Sequence, residues 1–356
     1  MAFKTAAGHS SLPNGNFSPV IYSQKVQQAF RKTSVVESIT NSDYFGEIAN
    51  YGDTVKIIKE PEITVSSYLR GTSVTAQDLS DADFSLVVDQ ANYFMFKIDD
   101  IEAAHSHVNF MDLATDRAAF RLRDTFDAEV LGYLAGWEKN NSGAWIRRTA
   151  VNGTKADSTA DNDELLAANK LDITDFGGSD LGVESETTSI PVAANGGAGA
   201  ITSPLAILNR IARKMDEANV DTEGRWFVAD PVFFEILMDE SSKFVDNDFA
   251  GGQDAGDIIR NGRVGSALVR GMRVYKSNNL PFIGTGAGTS ASAGSETNFG
   301  VIVAGHDSAV ATAQQIDKTE AYRDTASFAD IVRGMQLYGR KILRPEALFT
   351  ACYNQA

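Results

Sequence analysis

The sequence predicts an α+β protein organised around one long helix, and three observations lead to that class. Apolar side chains in residues 54–98 alternate with a period of two, which is typical of β-strands. In residues 109–136 they recur at steps of three and four, which places them on one face of a helix. Residues 201–281 contain two stretches that begin with a capping residue followed by proline, and strand-like runs lie between and after them. That order predicts a compact α/β unit.

The amino-acid composition excludes several classes of protein. The chain has 356 residues, of which 43% are hydrophobic and 22% charged, so it is long enough for about two domains with substantial cores. No apolar run is long enough to cross a bilayer, and we expect no membrane partner. The single cysteine, Cys352, excludes a disulfide framework or a cysteine-rich zinc site within the chain.

The net charge of −15 argues against a protein that grips nucleic acid, because phosphate binding requires lysine and arginine. An acidic protein can still lie beside nucleic acid without adhering to it, since like charges repel. Solubility is the simpler interpretation of the same charge.

Residues 1–35 are predicted to form an extended arm rather than a domain. They contain two prolines and only scattered apolar residues, so they could not bury a core of their own. Such an arm either stays mobile or lies along a neighbour.

Residues 54–98 are predicted to form a long β-hairpin with a polar, acidic tip between Thr72 and Asp83. One strand begins at residue 54, and two runs, 84–88 and 93–98, lead back. Because an isolated hairpin is at best marginally stable in water, we expect this one to lean on another surface, including that of another subunit. A β-sheet within a single domain fits the pattern equally well.

The helix of residues 109–136 is the best-supported single element. Asn109 is a suitable N-cap, and no glycine or proline interrupts the helix before Gly132. At about 1.5 Å per residue it would span roughly 40 Å. We expect one side to pack on strands around residues 328–349 and the other on the chain leading in and out, with Gly132 and Gly136 permitting close approach. Its main apolar stripe is Ala119, Leu122, Phe126, Val130, Tyr133 and Trp137.

The exposed side of this helix is predicted to carry two ion pairs. Arg121 and Asp124 are three residues apart, and Arg123 and Asp127 are four apart. At these spacings opposite charges meet on a helix surface. The interleaved carboxylates would cancel most of the field of an arginine stripe that binds nucleic acid.

After the long helix, a loop-rich segment is followed by predicted helices and strands. Residues 146–200 are dominated by small and acidic residues and are predicted to be a loop-rich insertion. In the α/β unit, helices opened by Ser203 and Asp230 flank a buried strand at 226–229. The remaining predicted elements are a strand at 299–304, a strand or short helix at 309–316 and an extended run at 331–343.

Few residues form a pattern that is typical of a catalytic, cofactor-binding or metal site. Residues 284–288, GTGAG, look like a phosphate-binding loop but lack the lysine of a P-loop and a following helix, so a surface loop is the better interpretation. His105 and His107 could contribute to a metal site, although such a pair at a strand-to-helix junction more often forms a solvated edge. His306 has no evident nucleophile partner. We therefore predict no catalytic residue, no cofactor and no metal, which favours a structural or binding role.

Two stretches give the sequence a family resemblance. Residues 261–281, NGRVGSALVRGMRVYKSNNLP, resemble a stretch common in major capsid proteins of tailed bacteriophages. In that family a glycine-flanked strand and a second strand ending in tyrosine precede Ser-Asn-Asn-Leu-Pro. Residues 328–348, FADIVRGMQLYGRKILRPEAL, are similar to the family's C-terminal strands. The order of arm, hairpin, long helix and α/β unit also fits the family.

The resemblance implies the viral capsid shell fold of the Hong Kong 97 type, with an N-terminal arm, extended β-hairpin loop, long spine helix, peripheral domain and axial α/β domain. It implies a non-enzymatic major capsid protein. Its copies would assemble in the host bacterial cytoplasm as hexamers and pentamers of an icosahedral virion around double-stranded DNA. The implied divisions are 1–35 for the arm, 36–53 for the start of the peripheral domain, 54–98 for the hairpin loop, 99–145 for the spine helix with the peripheral domain, 146–200 for the insertion, 201–325 for the axial domain with return strands, and 326–356 for the C-terminal strands of the peripheral domain.

The resemblance also assigns residues to interfaces. The arm and the hairpin would reach across neighbouring subunits, and the spine helix would pack within its own subunit. The implied subunit-interface residues are Phe17, Tyr22, Lys56, Lys59, Glu60, Tyr68, Arg70, Asp78, Asp81 and Asp83. The implied packing residues of the spine helix are Leu122, Phe126, Val130, Tyr133 and Trp137.

Two departures from the family pattern bear on partners. Some members carry a charged helical scaffold segment ahead of the arm, whereas this chain starts at the arm. We therefore expect a separate scaffolding protein or a segment already removed, besides a portal and a possible decoration protein. We expect no isopeptide crosslink through the hairpin, because Lys56 and Lys59 lie near its base and no lysine lies between Leu69 and Tyr93.

Two other functions remain open at the level of sequence. The shell of a bacterial encapsulating nanocompartment has the same fold and would enclose a cargo enzyme, although the Ser-Asn-Asn-Leu-Pro stretch favours a phage. A soluble α/β enzyme would use the glycine-rich loop at 284–294 and the His105 and His107 pair.

Overall fold

The computed structural model has three α-helices and fourteen β-strands among the residues that it describes. The described residues are 34–41, 54–58, 63–65, 67–71, 73, 76–77, 83–100, 110–139, 145–147, 165–178, 189–197, 201–239, 241, 269–283, 299–325 and 327–355. The helices are α1 (Phe110–Ala135), α2 (Pro204–Glu217) and α3 (Pro231–Leu237). The strands are β1 (Thr54–Ile58), β2 (Asp83–Val87), β3 (Gln90–Asp99), β4 (Trp137–Lys139), β5 (Trp145–Arg147), β6 (Lys170–Leu171), β7 (Ile190–Val192), β8 (Arg225–Ala229), β9 (Arg273–Lys276), β10 (Phe282–Ile283), β11 (Phe299–His306), β12 (Val310–Arg323), β13 (Ala329–Ile342) and β14 (Leu348–Gln355).

A seven-stranded sheet forms the larger core. Its main path runs β6-β14-β11-β8-β9, with β10 paired to β11 and β7 paired to β14. Strand β8 shows why both faces are covered, because its side chains alternate between two sides. Phe227 and Ala229 pack in the cluster that contains α2 and α3, whereas Trp226 and Val228 pack in the cluster that contains α1.

The two shorter helices begin where the sequence predicts. Ser203 accepts a hydrogen bond from the backbone N–H of Ala206, and Pro204 occupies the first turn of α2. Asp230 does the same for Phe233 at the start of α3, which also opens on a proline. These caps satisfy backbone N–H groups that have no partner within a helix, and they confirm both predicted helix starts.

Strands β12, β13 and β3 form a second, three-stranded antiparallel sheet, and its inner face rests on α1. The rings of Phe126 on α1 and Tyr338 on β13 meet edge to face at 4.8 Å between centroids. The side chain of Asn92 on β3 donates to the Glu129 carboxylate at 2.8 Å, and Arg340 on β13 donates to the Glu129 backbone carbonyl. Helix α1 therefore contacts both sheets.

The long helix agrees with the sequence to within a residue at its described end. It ends at Ala135, and Gly136 follows with a φ of +81°, the left-handed conformation that glycine adopts without strain. The residue predicted as its N-cap, Asn109, lies outside the described residues. Of the predicted packing residues, Phe126, Val130, Tyr133 and Trp137 are buried and Leu122 is half-buried, and Trp137 belongs to β4 rather than to the helix.

One predicted ion pair on α1 is present and the other is wrong. Arg121 lies 3.5 Å from Asp124, as the spacing predicts. Arg123 instead pairs with Glu37 at 2.5 Å, and Asp127 is fully buried. The prediction failed because the helix face at Asp127 is covered by residues 34–36, which are distant in sequence.

The predicted hairpin of residues 54–98 is divided between two sheets. Strand β1 pairs with β2 from Thr54 opposite Val87 to Ile58 opposite Asp83, so the hairpin spans residues 54–87. Strand β3 pairs instead with β13. The two runs that lead back have similar apolar alternation, and alternation alone does not identify a strand's partner.

The predicted C-terminal strands of residues 326–356 are likewise divided between the two sheets. Strand β13 belongs to the three-stranded sheet, whereas β14 lies in the seven-stranded sheet between β11 and the short strands β6 and β7. Strand β14 suits that interior position because it is apolar on both faces, with Leu348 in one core cluster and Phe349 and Tyr353 in the other. The segment at 309–316 is mainly strand, because β12 begins at Val310.

Gly339 is needed where the hairpin meets the three-stranded sheet. A Cβ atom at this position would lie 2.5 Å from the backbone carbonyl oxygen of Val87, which no side-chain rotation could relieve. We expect Gly339→Ala to lower the free energy of unfolding by about 1–3 kcal/mol, measured by denaturant unfolding of the purified protein. The control is Gly197→Ala, whose added methyl would meet the side chain of Ile201 at 3.2 Å or more. Equal stability of the two variants would contradict this placement.

Asp230 and Tyr353 form a buried polar pair in the seven-stranded sheet's core. The Tyr353 hydroxyl donates to Oδ1 of Asp230, the same oxygen that accepts from the Phe233 N–H. Burial raises the pKa of the Asp230 carboxyl, against the opposite effect of the hydrogen bonds from Tyr353 and Phe233. The folded protein therefore binds this proton more tightly than the unfolded chain does.

The raised pKa of Asp230 predicts that the stability of the protein depends on pH. The contribution of Asp230 to stability should increase as pH falls through its folded-state pKa, because the folded state then gains a proton that the unfolded state binds less well. In Asp230→Asn the side-chain oxygen remains but the titration is gone. The free energy of unfolding of the wild type, relative to this variant, should decrease as pH rises from acid to neutral. Parallel pH curves for the two proteins would show that the carboxyl is not perturbed.

Candidate subunit-interface surfaces

Four large apolar side chains are exposed on the hairpin loop between β1 and β2. The exposed fractions are 67% for Ile63, 93% for Val65, 66% for Tyr68 and 70% for Leu69. Isolated exposed apolar residues are common, but a group of this kind within one short segment is typical of a surface that meets another molecule. We call these four residues, Ile63, Val65, Tyr68 and Leu69, the hairpin loop surface.

A second exposed group lies on the three-stranded sheet, on the face opposite α1. Tyr93 of β3 lies opposite Met335 of β13, and Met95 lies opposite Arg333. Directly paired residues share a face of the sheet, so these side chains project together, and Tyr93 is 81% exposed. Tyr322 of β12 joins them, because its hydroxyl lies 4.0 Å from the Met95 sulfur. We call this group the outer sheet face.

Charges on the outer sheet face are paired rather than free. Arg333 donates to the Glu320 carboxylate at 2.8 Å and lies 5.1 Å from the centre of the Tyr322 ring. Hydrogen bonds and charge from Lys318 and Arg333 lower the pKa of Glu320 to about 2, so Glu320 is ionised at neutral pH. Because these groups are exposed, the pairs add little to subunit stability. Tyrosine, methionine and arginine, the residue types of this group, are enriched in protein–protein interfaces.

The structure describes only some of the interface residues predicted from sequence. Lys56 is exposed on β1, and Tyr68 and Arg70 are exposed in the hairpin loop. Asp83 begins β2, but its side chain is outside the description. Phe17, Tyr22, Lys59, Glu60, Asp78 and Asp81 lie outside the described residues.

Sequence reasoning missed the outer sheet face. The available signal was the run Tyr93-Phe94-Met95-Phe96, which is apolar at every position and therefore on both faces of a strand. Phe94 and Phe96 are half-buried on the inner face, while Tyr93 and Met95 are exposed. A strand that is apolar on both sides, with only one side covered within the subunit, indicates a second contact surface.

The candidate chemical groups have structural roles where they are described. The His306 side chain caps the turn at Asp307–Ala309, accepting from the backbone N–H of Ser308, and its other ring nitrogen lies 2.6 Å from the Glu223 carbonyl oxygen. His105, His107 and the loop at 284–288 lie outside the described residues. Within the part of the chain that the structure describes, no group of three or more His, Cys, Asp or Glu residues could hold a metal ion. None of the described helices could span a bilayer.

Comparison by sequence finds no match, whereas comparison by structure finds many. No family model matches the chain, and no curated protein matches its sequence. By structure, 187 chains of solved structures match. The capsid asymmetric unit of cyanophage Pam1 superposes with a TM-score of 0.68 at 15% identity, covering 98% of this chain and 99% of that one.

Two further matches cover nearly the whole chain. A structure from Mycobacterium phage Che8 has a TM-score of 0.65 at 23% identity, with coverage of 94% of this chain and 97% of its own. The capsid structure of cyanophage P-SCSP1u has a TM-score of 0.64 at 19% identity and covers both chains completely. At these identities the likeness establishes architecture. The protein has the α+β fold of phage capsid shells.

Proposed function

We propose that this protein is the major capsid protein of a tailed bacteriophage, a structural protein without enzymatic activity. The observation that carries the proposal is the superposition on a chain of the cyanophage Pam1 capsid asymmetric unit over 98% of this chain. A match over the whole length includes the hairpin and the long helix, which a shared α/β core alone would not require. In this proposal, copies assemble as hexamers and pentamers into an icosahedral virion shell, formed in the host bacterial cytoplasm.

The exposed surfaces support assembly with further copies of the chain. Val65 and Leu69 bury little of their side-chain surface within the chain, because they remain 93% and 70% exposed. Burying such a side chain against a neighbour contributes up to about 1.5–3 kcal/mol, and each copy in a shell would make the contact. We propose that the arm residues Phe17 and Tyr22 reach neighbouring subunits in the same way. The proposed hairpin contacts also include Lys56, Lys59, Glu60, Tyr68, Arg70, Asp78, Asp81 and Asp83.

The charge of the chain fits a container for DNA better than a DNA-binding protein. With a net charge of −15, the shell would present few cations to the phosphate backbone. Double-stranded DNA could then be enclosed without being held at fixed positions on the wall. A scaffolding protein, a portal and a decoration protein are the further partners of this proposal.

The content of purified particles tests the proposed function. Particles that contain this chain should protect double-stranded DNA from nuclease, and the same particles opened before nuclease treatment should not. Shells that enclose only an enzyme would indicate a nanocompartment. A persistent small oligomer with catalytic turnover would refute the capsid assignment.

A further inference from the structure

A single buried carboxylate joins three distant parts of the chain. Asp127 lies on α1 with none of its surface exposed. Its Oδ1 accepts hydrogen bonds from the Ser34 hydroxyl at 2.9 Å and from the backbone N–H groups of Val35 and Val36 at 2.8 and 3.0 Å. Its Oδ2 accepts from the side-chain amide of Asn279 at 2.9 Å.

Four donors on one carboxylate explain why a charge is tolerated there. Removing an ionised carboxylate from water is costly unless hydrogen bonds replace its hydration. The N–H groups of Val35 and Val36 open a short 3₁₀ turn at residues 36–38, and the side chains of Val35, Val36 and Ile39 pack in the same core as α1. Residues 34–39 are thus fixed to α1 by both polar and apolar contacts.

Asn279 connects the same carboxylate to the seven-stranded sheet. It lies in the turn that follows β9, where its backbone N–H donates to the Ser277 hydroxyl at 3.2 Å. The Ser277 N–H in turn donates to the carbonyl of Ala229 at the end of β8. The side-chain amide of Asn279 also donates to Asp124, one turn before Asp127 on α1.

We infer that Asp127 and Asn279 act as positioning residues that couple the segment at residues 34–36 to the turn at residues 277–279. The Asp127 carboxylate therefore fixes the position of Ser34, the first described residue, relative to the seven-stranded sheet. A displacement on either side of the carboxylate changes the hydrogen bonds on the other side. This role builds on the proposed function, because in a shell subunit it would set the direction in which the N-terminal arm leaves.

Hydrogen exchange in the Asn279→Ala variant tests the coupling. Exchange of the Val35 and Val36 amides should become about tenfold faster, although their hydrogen bonds are to Asp127 and not to Asn279. Asn278→Ala is the matched control, because Asn278 is the adjacent residue of the same type and is exposed. Its exchange at Val35 and Val36 should equal that of the wild type. Unchanged exchange at these amides in Asn279→Ala would refute the coupling, as would an equal increase at the Val130 amide, which would indicate general loosening of α1.

A reciprocal variant keeps the test decisive if Asn279→Ala does not fold. Ser34→Ala removes one donor to Asp127 and should raise exchange at the Ser277 and Asn279 amides about threefold, because coupling between two sites acts in both directions. No change there would contradict the inference. The measurement needs only folded subunits, so its outcome is independent of whether particles contain DNA.

Discussion

Replacing Phe126 with aspartate should prevent folding and particle formation alike. Phe126 is buried on α1, and its ring packs edge to face on Tyr338 of the three-stranded sheet. An aspartate at this position would bury an unpaired charge and leave a cavity, at a cost of more than about 4 kcal/mol. That is a large share of the stability of a typical domain, about 5–15 kcal/mol. Soluble yield, thermal unfolding and particle yield should all fall together.

Thr125→Asp is the matched control for this prediction. Thr125 is the preceding residue on α1, is exposed, and donates its hydroxyl to the Arg121 carbonyl. An aspartate here remains in water, so the subunit should fold with near-normal stability. If Phe126→Asp gave particles at the wild-type yield, the packing of α1 on β13 could not be the core of the subunit.

Two charges on the hairpin loop surface should have the opposite pattern, with normal folding and lost assembly. In the double variant Val65→Asp, Leu69→Asp, both side chains are already exposed in the subunit, so its thermal unfolding should be unchanged. Each charge would have to be desolvated in a contact with a neighbour, which costs about 2 kcal/mol or more. Particle yield, measured by sedimentation, should therefore fall by more than about tenfold.

Leu166→Asp controls for a general effect of surface charge. Leu166 is also an exposed apolar residue, but it lies outside both proposed interface surfaces. Its particle yield should stay close to that of the wild type. Wild-type yield from the double hairpin variant would show that the hairpin loop surface does not contact a neighbour.

The sequence predicts best those elements that depend on nearby residues. Ser203 and Asp230 cap their helices by bonding N–H groups three residues ahead, so the pattern is complete within one turn. The end of α1 at Gly136 is equally local. By contrast, the choice of β13 as the partner of β3 depends on contacts more than 200 residues apart along the chain, which follows from the register of Tyr93 with Met335. Alternation reveals a strand but not its neighbour.

The surroundings of Asp127 could not be predicted from the sequence for the same reason. Asp127 has the spacing of a surface ion pair with Arg123, and only the folded structure shows that Ser34, Val35, Val36 and Asn279 surround it. Tyr68 and Arg70 were named as interface residues only through the family resemblance, and the structure shows that both are exposed. The outer sheet face was not predicted, because burial of one side of β3 by α1 is a tertiary property.

Cryo-electron microscopy of particles formed by the purified protein tests whether copies of this chain build a shell. We expect closed icosahedral shells of hexamers and pentamers, with the hairpin loop surface of each copy buried against a neighbouring copy. A monodisperse monomer or small oligomer at the same concentration, with the hairpin loop surface facing solvent, would contradict this expectation.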